Sequence, residues 1–352
     1  MIFLVKNKCG FVGVGAYGGN QVRPFYKESY PSLFINTALT DLNSLTDVEE
    51  KYKYHVPGSE GCNKDRKKSK ELFRQEIDNI INEIKEKMPG IEYLFIVASA
   101  GGGCGSGVLA ALKQVAMEEM DLKGCIIITV LPDTKTESIK ALINSYETLA
   151  EIEQLNEYAG ATFILDNDKS TNKMRINEMF FCYLDSLLTS ENSSTYGNVD
   201  DAEIEQLLST TGAAIISKLG KDKSDTQHLI NTFHNNVYAP IEDDKVIKYI
   251  GLIQPDKGKN IRIESICAEV GTPLDSYLGY EADSTLCVLT GLSLPYTKMQ
   301  DIKAQIDASK DTIKRNLSAQ SGNRMESLGF FDDIPVKEKS REKKKSNRDL
   351  LF

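Results

Sequence analysis

The segment Gly-Gly-Gly-Cys-Gly-Ser-Gly at residues 101–107 follows an apolar run at 94–98 and precedes a stretch rich in Ala and Leu. Glycines let the backbone approach a ligand closely, and consecutive N–H groups at the start of a helix form a concave site for an anion. So many glycines cost entropy on folding, which argues against a merely flexible turn. Residues 93–112 are uncharged over the length of a membrane span, but this cluster would break a spanning helix. The segment therefore predicts a strand, an anion-binding loop and a helix start.

A second glycine-rich segment, Gly-Val-Gly-Ala-Tyr-Gly-Gly-Asn at residues 13–20, follows another apolar run. Alone it fits the dinucleotide pattern Gly-x-Gly-x-x-Gly. A dehydrogenase of that type also needs an acidic residue about 20 positions later, where this chain has Asn36 and Thr37. The Lys of a Walker-type phosphate loop is also missing from the pattern. The segment thus indicates phosphate binding but disfavours both of these nucleotide-binding classes.

Short apolar runs alternate with amphipathic stretches through the first half of the chain. We predict strands at 11–14, 33–35, 94–98, 125–130 and 162–165, and helices where apolar residues recur every three or four positions at 73–88 and 138–158. Such alternation is typical of a parallel α/β sheet with helices on both faces. Sheets of this kind bind ligands outside the carboxyl ends of their strands, which is where both glycine segments fall.

The second half has a different pattern. Residues 177–188 are apolar on nearly every face, which predicts a buried central helix. Helical segments near 201–236 are followed by three expected strands at 246–253, 261–270 and 285–294, which indicate a smaller mixed or antiparallel sheet. Apolar residues spaced between 299 and 317 predict a long amphipathic helix.

Composition excludes several protein classes. The 352 residues are 41% hydrophobic and 26% charged, as in globular proteins, and the net charge of −9 disfavours a DNA-coating protein. Seven cysteines without a Cys-x-x-Cys pair, together with only three histidines, argue against a structural zinc site. The irregular cysteines and the uncharged N-terminal residues predict reduced thiols in a cytoplasm and no signal peptide.

The two glycine segments together resemble the tubulin/FtsZ family, whose signature is Gly-Gly-Gly-Thr-Gly-Ser-Gly, and the resemblance extends roughly over residues 9–330. It implies a Rossmann-like parallel GTPase sheet, a buried central helix and a smaller α+β C-terminal domain. The implied boundaries are 1–172 for the GTP-binding domain, 173–195 for the central helix, 196–296 for the C-terminal domain with the catalytic loop, 297–331 for the long helix region and 332–352 for a disordered basic tail.

The resemblance also implies a site for GTP or GDP with Mg²⁺, although it identifies no Mg²⁺ ligand in this chain. Cys104 stands where the family has Thr, so a hydroxyl donor is replaced by a weaker thiol donor. That thiol is either an inert small residue or, at a helix N-terminus, an oxidation site. The implied nucleotide-binding residues are Gly15, Ala16, Tyr17, Gly18, Gly19, Asn20, Gly58, Gly61, Gly102, Gly103, Cys104, Gly105, Ser106, Gly107, Glu137, Asn167 and Asn177.

The motif Asn-Val-Asp-Asp-Ala-Glu at residues 198–203 has two interpretations. Asp200 and Glu203 fit a capping box at the start of a helix. They also resemble the family's catalytic loop, which enters the nucleotide site of the next subunit and polarises the attacking water. The second interpretation implies a GTPase that is activated by head-to-tail polymerisation into a filament.

Residues 334–352 carry seven Lys or Arg and three Asp or Glu, a net charge of +4, which leaves −13 on the rest of the chain. This tail is either simply solvated or docks on DNA or on a DNA-bound partner such as a DNA-binding adaptor. The overall likeness is to the TubZ group, the tubulin-like GTPases of plasmid and phage DNA partition. A cell-division or DNA-positioning filament without an adaptor, and a nucleotide-binding module without turnover, remain alternatives. The basic residues of the tail are Lys337, Lys339, Arg341, Lys343, Lys344, Lys345 and Arg348.

Overall fold

A computed structural model describes residues 5–190, 194–255 and 261–320. The described strands form one sheet in the order β3-β2-β1-β4-β5-β6-β7-β10-β8-β9. The tail at 332–352, with all its basic residues, lies outside the described residues. The strands are β1 Cys9–Val14, β2 Ser32–Asn36, β3 Lys53–His55, β4 Tyr93–Ser99, β5 Gly124–Leu131, β6 Thr162–Asp166, β7 Ala213–Gly220, β8 Tyr249–Ile253, β9 Asp275–Gly279 and β10 Ser284–Leu292.

Helices cover both faces of this sheet. They are α1 Gly15–Lys27, α2 Leu39–Ser44, α3 Arg66–Lys87, α4 Cys104–Glu119, α5 Ile139–Glu153, α6 Lys173–Leu188, α7 Asp201–Ser209, α8 Thr226–His234, α9 Ile263–Val270 and α10 Tyr296–Gln320. No helix within the described ranges is both long and apolar enough to cross a membrane.

The first six strands are parallel, and the predicted α/β architecture is confirmed. All five strands predicted in the first half are present, and the two predicted helices correspond to α3 and α5. The short edge strand β3 was not predicted because only three residues pair with β2. One face of the sheet is held by stacked rings, with Phe11 4.2 Å from Phe25 and 4.5 Å from Phe95 between ring centroids.

The second half continues the same sheet. β6 pairs in parallel with β7 over two residues only, β10 then runs antiparallel to both β7 and β8, and β9 pairs in parallel with β8. The smaller sheet expected here is therefore not a separate sheet. Two further expectations are wrong. Residues 213–220 form a strand inside a region expected to be helical, and 263–270 form helix α9 where a strand was expected. Ile266 and Val270 lie four positions apart and are both buried, which is the spacing of a helix face.

Helix α6 is buried along one side, where Ile176, Phe180 and Leu184 contact the core. Cys182 on its other side is exposed, so apolarity on every face overstated the burial of this helix. Phe181 is half-buried and meets Phe25 of α1 edge to face at 4.9 Å. α6 therefore covers the aromatic face of the sheet, while the domain boundaries drawn on either side of it stay predictions.

The long helix α10 packs against α5, as its buried Ile302 and Ile306 show. At its start, the Lys298 ammonium lies 3.1 Å from the Asp166 carboxylate and 2.5 Å from that of Asp168. Both acidic residues stand at the carboxyl end of β6. The helix is thus attached to the edge of the sheet where parallel α/β proteins bind ligands.

Candidate functional site

A cleft of about 380 Å³ opens at the carboxyl ends of the parallel strands. The loops that follow β1, β2, β4, β5 and β6 all contribute to its walls. Ten of the predicted nucleotide-binding residues line it. These are Gly15, Ala16, Tyr17, Gly61, Gly102, Gly103, Cys104, Gly105, Glu137 and Asn167.

The glycines of the second segment bring the backbone to the floor of the cleft. Helix α4 begins at Cys104, and its N-cap, Gly103, supplies no side-chain hydrogen bond. The N–H groups of the first turn are therefore open to a ligand, and the positive end of the helix dipole favours an anion. A Cβ on Gly103 would lie 2.5 Å from the Lys64 backbone nitrogen, and one on Gly105 would lie 2.5 Å from the Ala98 Cβ. Glycine is thus needed at these two positions because the 61–64 loop and β4 pack directly against the backbone of this segment.

Other predicted glycines have a packing role instead. A Cβ on Gly18 would lie 2.2 Å from the Val97 carbonyl oxygen, and one on Gly107 would lie 2.8 Å from the Arg66 carbonyl oxygen. Neither glycine lines the cleft, so they allow α1 and α4 to sit close to their neighbours. Gly58 also lies away from the cleft walls.

Four further predicted residues lie beside the cleft. Gly19 and Asn20 line a small adjoining pocket of about 20 Å³. The Ser106 carbonyl accepts hydrogen bonds from the Arg66 guanidinium, the shorter of them at 3.0 Å. The Asn177 carbonyl accepts a hydrogen bond of 3.2 Å from the Gln21 amide, which ties α6 to α1.

Two lysines pair with one of the acidic residues that line the cleft, Glu137. The Glu137 carboxylate is 3.2 Å from both the Lys64 and the Lys173 ammonium groups. Burial would raise the pKa of Glu137, but the hydrogen bonds from Lys173 and Lys64 outweigh it and lower that pKa. Glu137 is therefore ionised at neutral pH, and the two ammonium groups offset its charge near the phosphate loop.

Several lining residues were not predicted as site residues. Most come from the end of β2 and from the loop between β3 and α3, where the chain takes positive φ at Asn63 and Lys64, while Asp41 lies in α2 and Ser99 ends β4. The signal available in the sequence was position, because polar residues directly after a buried parallel strand tend to face the ligand edge. The unpredicted lining residues include Asn36, Thr37, Ala38, Asp41, Cys62, Asn63, Lys64 and Ser99.

Comparison with known proteins identifies the region around this cleft. Residues 8–174 match the Tubulin/FtsZ family, GTPase domain. This part of the chain is a tubulin/FtsZ-family GTPase domain. The family binds GTP and GDP, and in this chain the cleft brings together both glycine segments and the start of α4.

The similarity extends beyond the GTPase domain. The tubulin-like protein TubZ of Clostridium botulinum C phage is 29% identical over 324 residues, which cover 91% of this chain and 88% of that protein. The structure of the tail-truncated TubZ of C. botulinum phage c-st matches with a TM-score of 0.77 at 28% identity, over 88% of this chain and 99% of the other. A GTPγS-form protofilament of Bacillus thuringiensis serovar israelensis TubZ shares the fold, with a TM-score of 0.74 at 16% identity over 89% of this chain and 94% of that one.

Mg²⁺ would have few protein ligands in the GTPase domain. Among the described residues there is no group of three or more His, Cys, Asp or Glu side chains placed to hold a metal ion. The Asp41 carboxylate lines the cleft and offers hard oxygen ligands, whereas Glu137 is already paired with lysines. Mg²⁺ in nucleotide sites commonly uses one or two carboxylates, the phosphates and water. An ion held mainly by the nucleotide would fit these residues, and Asp41 would be the cleft carboxylate that faces it.

Asp200 and Glu203 lie at the start of α7 and do not line the cleft. They form a capping box: the Asp200 carboxylate accepts from the Glu203 N–H at 2.9 Å, and the Glu203 carboxylate accepts from the Asp200 N–H at 3.0 Å. Burial raises the pKa of Glu203, and the nearby Asp200 and Asp275 charges raise it further. Asp200 is exposed and Glu203 is half-buried, so both can be reached from outside.

Ion pairs place α7 at the end of the sheet opposite the cleft. Glu205, two residues after Glu203, pairs with Lys8 just before β1 and, at 3.1 Å, with Lys123 just before β5. β1 contributes only its last residue, Val14, to the cleft walls. The six residues of β1 span about 20 Å. The cleft and this acidic pair therefore lie at opposite ends of the sheet.

Proposed function

We propose that this protein hydrolyses GTP at the contact between two copies stacked head to tail. One copy holds GTP in its cleft, and the next contributes Asp200 and Glu203. The observation that carries the proposal is the separation of these two parts to opposite ends of one sheet, because such a molecule can complete its site only with a second copy. The contact joins different surfaces of the two copies, so it continues into a filament instead of closing a dimer.

The chemical roles that we assign to the cleft and to the Asp200/Glu203 pair follow from the functional groups that each one presents. Backbone N–H groups of residues 102–105 would hold the phosphates, and the two carboxylates would orient and polarise the attacking water. The raised pKa of Glu203 brings this carboxylate closer to a proton acceptor suited to neutral pH. Mg²⁺, when bound, would offset phosphate charge. Hydrolysis removes the γ-phosphate from the contact and would let copies separate.

The variant Glu203→Gln separates catalysis from capping. Glutamine keeps a side-chain oxygen that can accept from the Asp200 N–H, so the capping box survives while the carboxylate is lost. We expect phosphate release to fall at least about a hundredfold, as for the loss of a general base, while GTP binding and filaments persist. Asp201→Asn in the same helical turn is the matched control. Wild-type turnover by Glu203→Gln would mean that Glu203 is only a cap.

Mixing two inactive variants tests whether the site is shared. Gly102→Asp has room for a Cβ, since its nearest neighbour is 3.7 Å away, but puts a carboxylate among the phosphates. Neither Gly102→Asp nor Glu203→Gln should turn over GTP alone. Together they should recover activity, because the intact cleft of Glu203→Gln then meets the intact Glu203 of Gly102→Asp. Absence of recovery in mixtures that still co-polymerise would contradict a shared site.

The finer role that we propose is the movement or segregation of plasmid or phage DNA through a DNA-binding adaptor in a bacterial cytoplasm. It is supported by the likeness to a phage TubZ and by the +4 charge of residues 334–352 beside a body of −13. Removal of 332–352 should leave GTP hydrolysis intact but abolish co-sedimentation of adaptor-bound DNA with filaments. If DNA still co-sediments, the tail is not the docking segment, and a filament role without an adaptor is favoured.

A further inference from the structure

Two cysteines meet at the wall of the cleft. Cys104 is the first residue of α4, and Cys62 lies in the loop that crosses it. The Cys62 sulfur is 3.4 Å from the Thr37 hydroxyl, and each of the two thiols shifts the pKa of the other. A Cβ on Gly103 would lie 3.2 Å from the Cys62 Cβ, so the two loops touch with no side chain between them.

This pair differs from the other thiols of the chain. Burial raises the pKa of Cys9, Cys125 and Cys287, which keeps these three protonated and unreactive. The Cys104 thiol instead lowers the pKa of Cys62, because a neighbouring donor stabilises the thiolate. The Cys62 thiol and burial in turn raise the pKa of Cys104. Cys62 is therefore the more acidic thiol of the pair.

We propose that Cys62 and Cys104 form an oxidation-sensitive dithiol, which closes to a disulfide across the cleft when no nucleotide covers it. The oxidant is hydrogen peroxide. The Cys62 thiolate attacks a peroxide oxygen, the O–O bond breaks, and the sulfur becomes a sulfenic acid as hydroxide leaves and takes a proton to form water. The Cys104 sulfur then displaces the sulfenic hydroxyl as a second water, so two thiols and one peroxide give one disulfide and two waters.

The disulfide would change the phosphate loop directly. It ties the first residue of α4 to the 61–64 loop, so the N–H groups of the first helical turn lose their freedom to close on phosphates. A bound nucleotide would in turn cover both sulfurs, because both line the same cleft as the glycine loop. The effect on nucleotide rests on the proposed function, whereas formation of the disulfide does not.

The test uses the full chain, reduced and then treated with hydrogen peroxide with or without GTP. Mass spectrometry of non-reduced peptides measures the Cys62–Cys104 cross-link over time. The variants Cys62→Ala and Cys182→Ser are treated in the same way and compared with wild type. Cys182 is exposed and outside the cleft, so its loss controls for general oxidation and for links between molecules. We expect the cross-link in nucleotide-free wild type and in Cys182→Ser, and not in Cys62→Ala. GTP at ten times its Kd should slow the reaction about tenfold, because only about one molecule in eleven is then free of nucleotide.

The possible outcomes separate the formation of the disulfide, its dependence on nucleotide and the proposed function. If nucleotide-free protein forms no Cys62–Cys104 disulfide, or if only mixed links through Cys182 appear, the dithiol proposal is wrong whatever GTP does. If the disulfide forms but GTP does not slow it, and oxidised protein binds GTP like reduced protein, the link to the nucleotide is wrong. If reduced protein binds no GTP at all, the proposed function fails, while the cross-link is still measured independently.

Discussion

Lys113 of α4 is a buried base whose removal should change how stability depends on pH. Its side chain is 2% exposed, and its ammonium donates a hydrogen bond of 3.1 Å to the Gly160 carbonyl. Burial lowers the pKa of Lys113 to about 8, because a charge is poorly solvated there. The substitution Lys113→Met keeps most of the side-chain volume and removes the charge.

The size of the effect follows from the two pKa values. An unfolded lysine titrates near 10.5 and the folded one near 8, a difference of 2.5 units that corresponds to on the order of 3 kcal/mol. Between these values the unfolded state binds more protons than the folded state, so the free energy of unfolding rises with pH. Below pH 8 both states are protonated, and the full cost of the buried charge is present.

Urea unfolding at pH 7, 8, 9 and 10 tests this reasoning. The stability of wild type relative to Lys113→Met should rise by about 2 to 3 kcal/mol from pH 8 to pH 10, and the variant should be equal or more stable at pH 7. Lys67→Met, an exposed lysine of α3, is the matched control and should give a difference that does not vary with pH. Parallel curves for wild type and Lys113→Met would refute a neutralised buried lysine.

Two other buried charges lead to further predictions. Arg66→Lys keeps the charge but cannot reach the Ser106 carbonyl and two carboxylates at once, so urea unfolding should show a loss of about 2 to 4 kcal/mol. An unchanged unfolding midpoint would show that the forked geometry is unimportant. Lys298→Met leaves the Asp166 carboxylate buried without its cation and should cost about 3 kcal/mol at pH 7. The loss should be smaller at pH 5, because burial raises the pKa of Asp166 and protonation then removes the unpaired charge; an equal loss at both pH values would contradict this.

The parts of the fold that sequence predicted are those with a local signal. Strands β1, β2, β4, β5 and β6 are buried at every or nearly every position, so each is a continuous apolar run. Strand β7 was missed because it follows a helix closely and its outer positions, Lys218 and Gly220, are exposed. Helix α9 was mistaken for a strand because a short apolar run has no decisive period.

The candidate site was predictable where glycines mark it and unpredictable where distant segments meet. Nothing local to Lys64 or Lys173 indicates that both will contact Glu137, since those contacts join residues 73 and 36 positions apart. The glycines themselves have two different roles, lining the cleft and allowing close helix packing, and the sequence alone does not distinguish them. Gly103 and Gly105 line the cleft, whereas Gly18 lies beneath it and gives α1 its close approach to β4.

The attachment of α10 shows why the cleft and the C-terminal helix form one structural unit. The Asp168 carboxylate accepts hydrogen bonds of 2.8 Å from the Thr134 N–H and hydroxyl, and the same carboxylate pairs with Lys298. Asn167, between Asp168 and the buried Asp166, lines the cleft. Because Lys298 pairs with the acidic residue on each side of Asn167, this residue cannot shift without straining the start of α10. Loops from β5 and β6 and the C-terminal helix therefore share one set of charges at the edge of the nucleotide cleft.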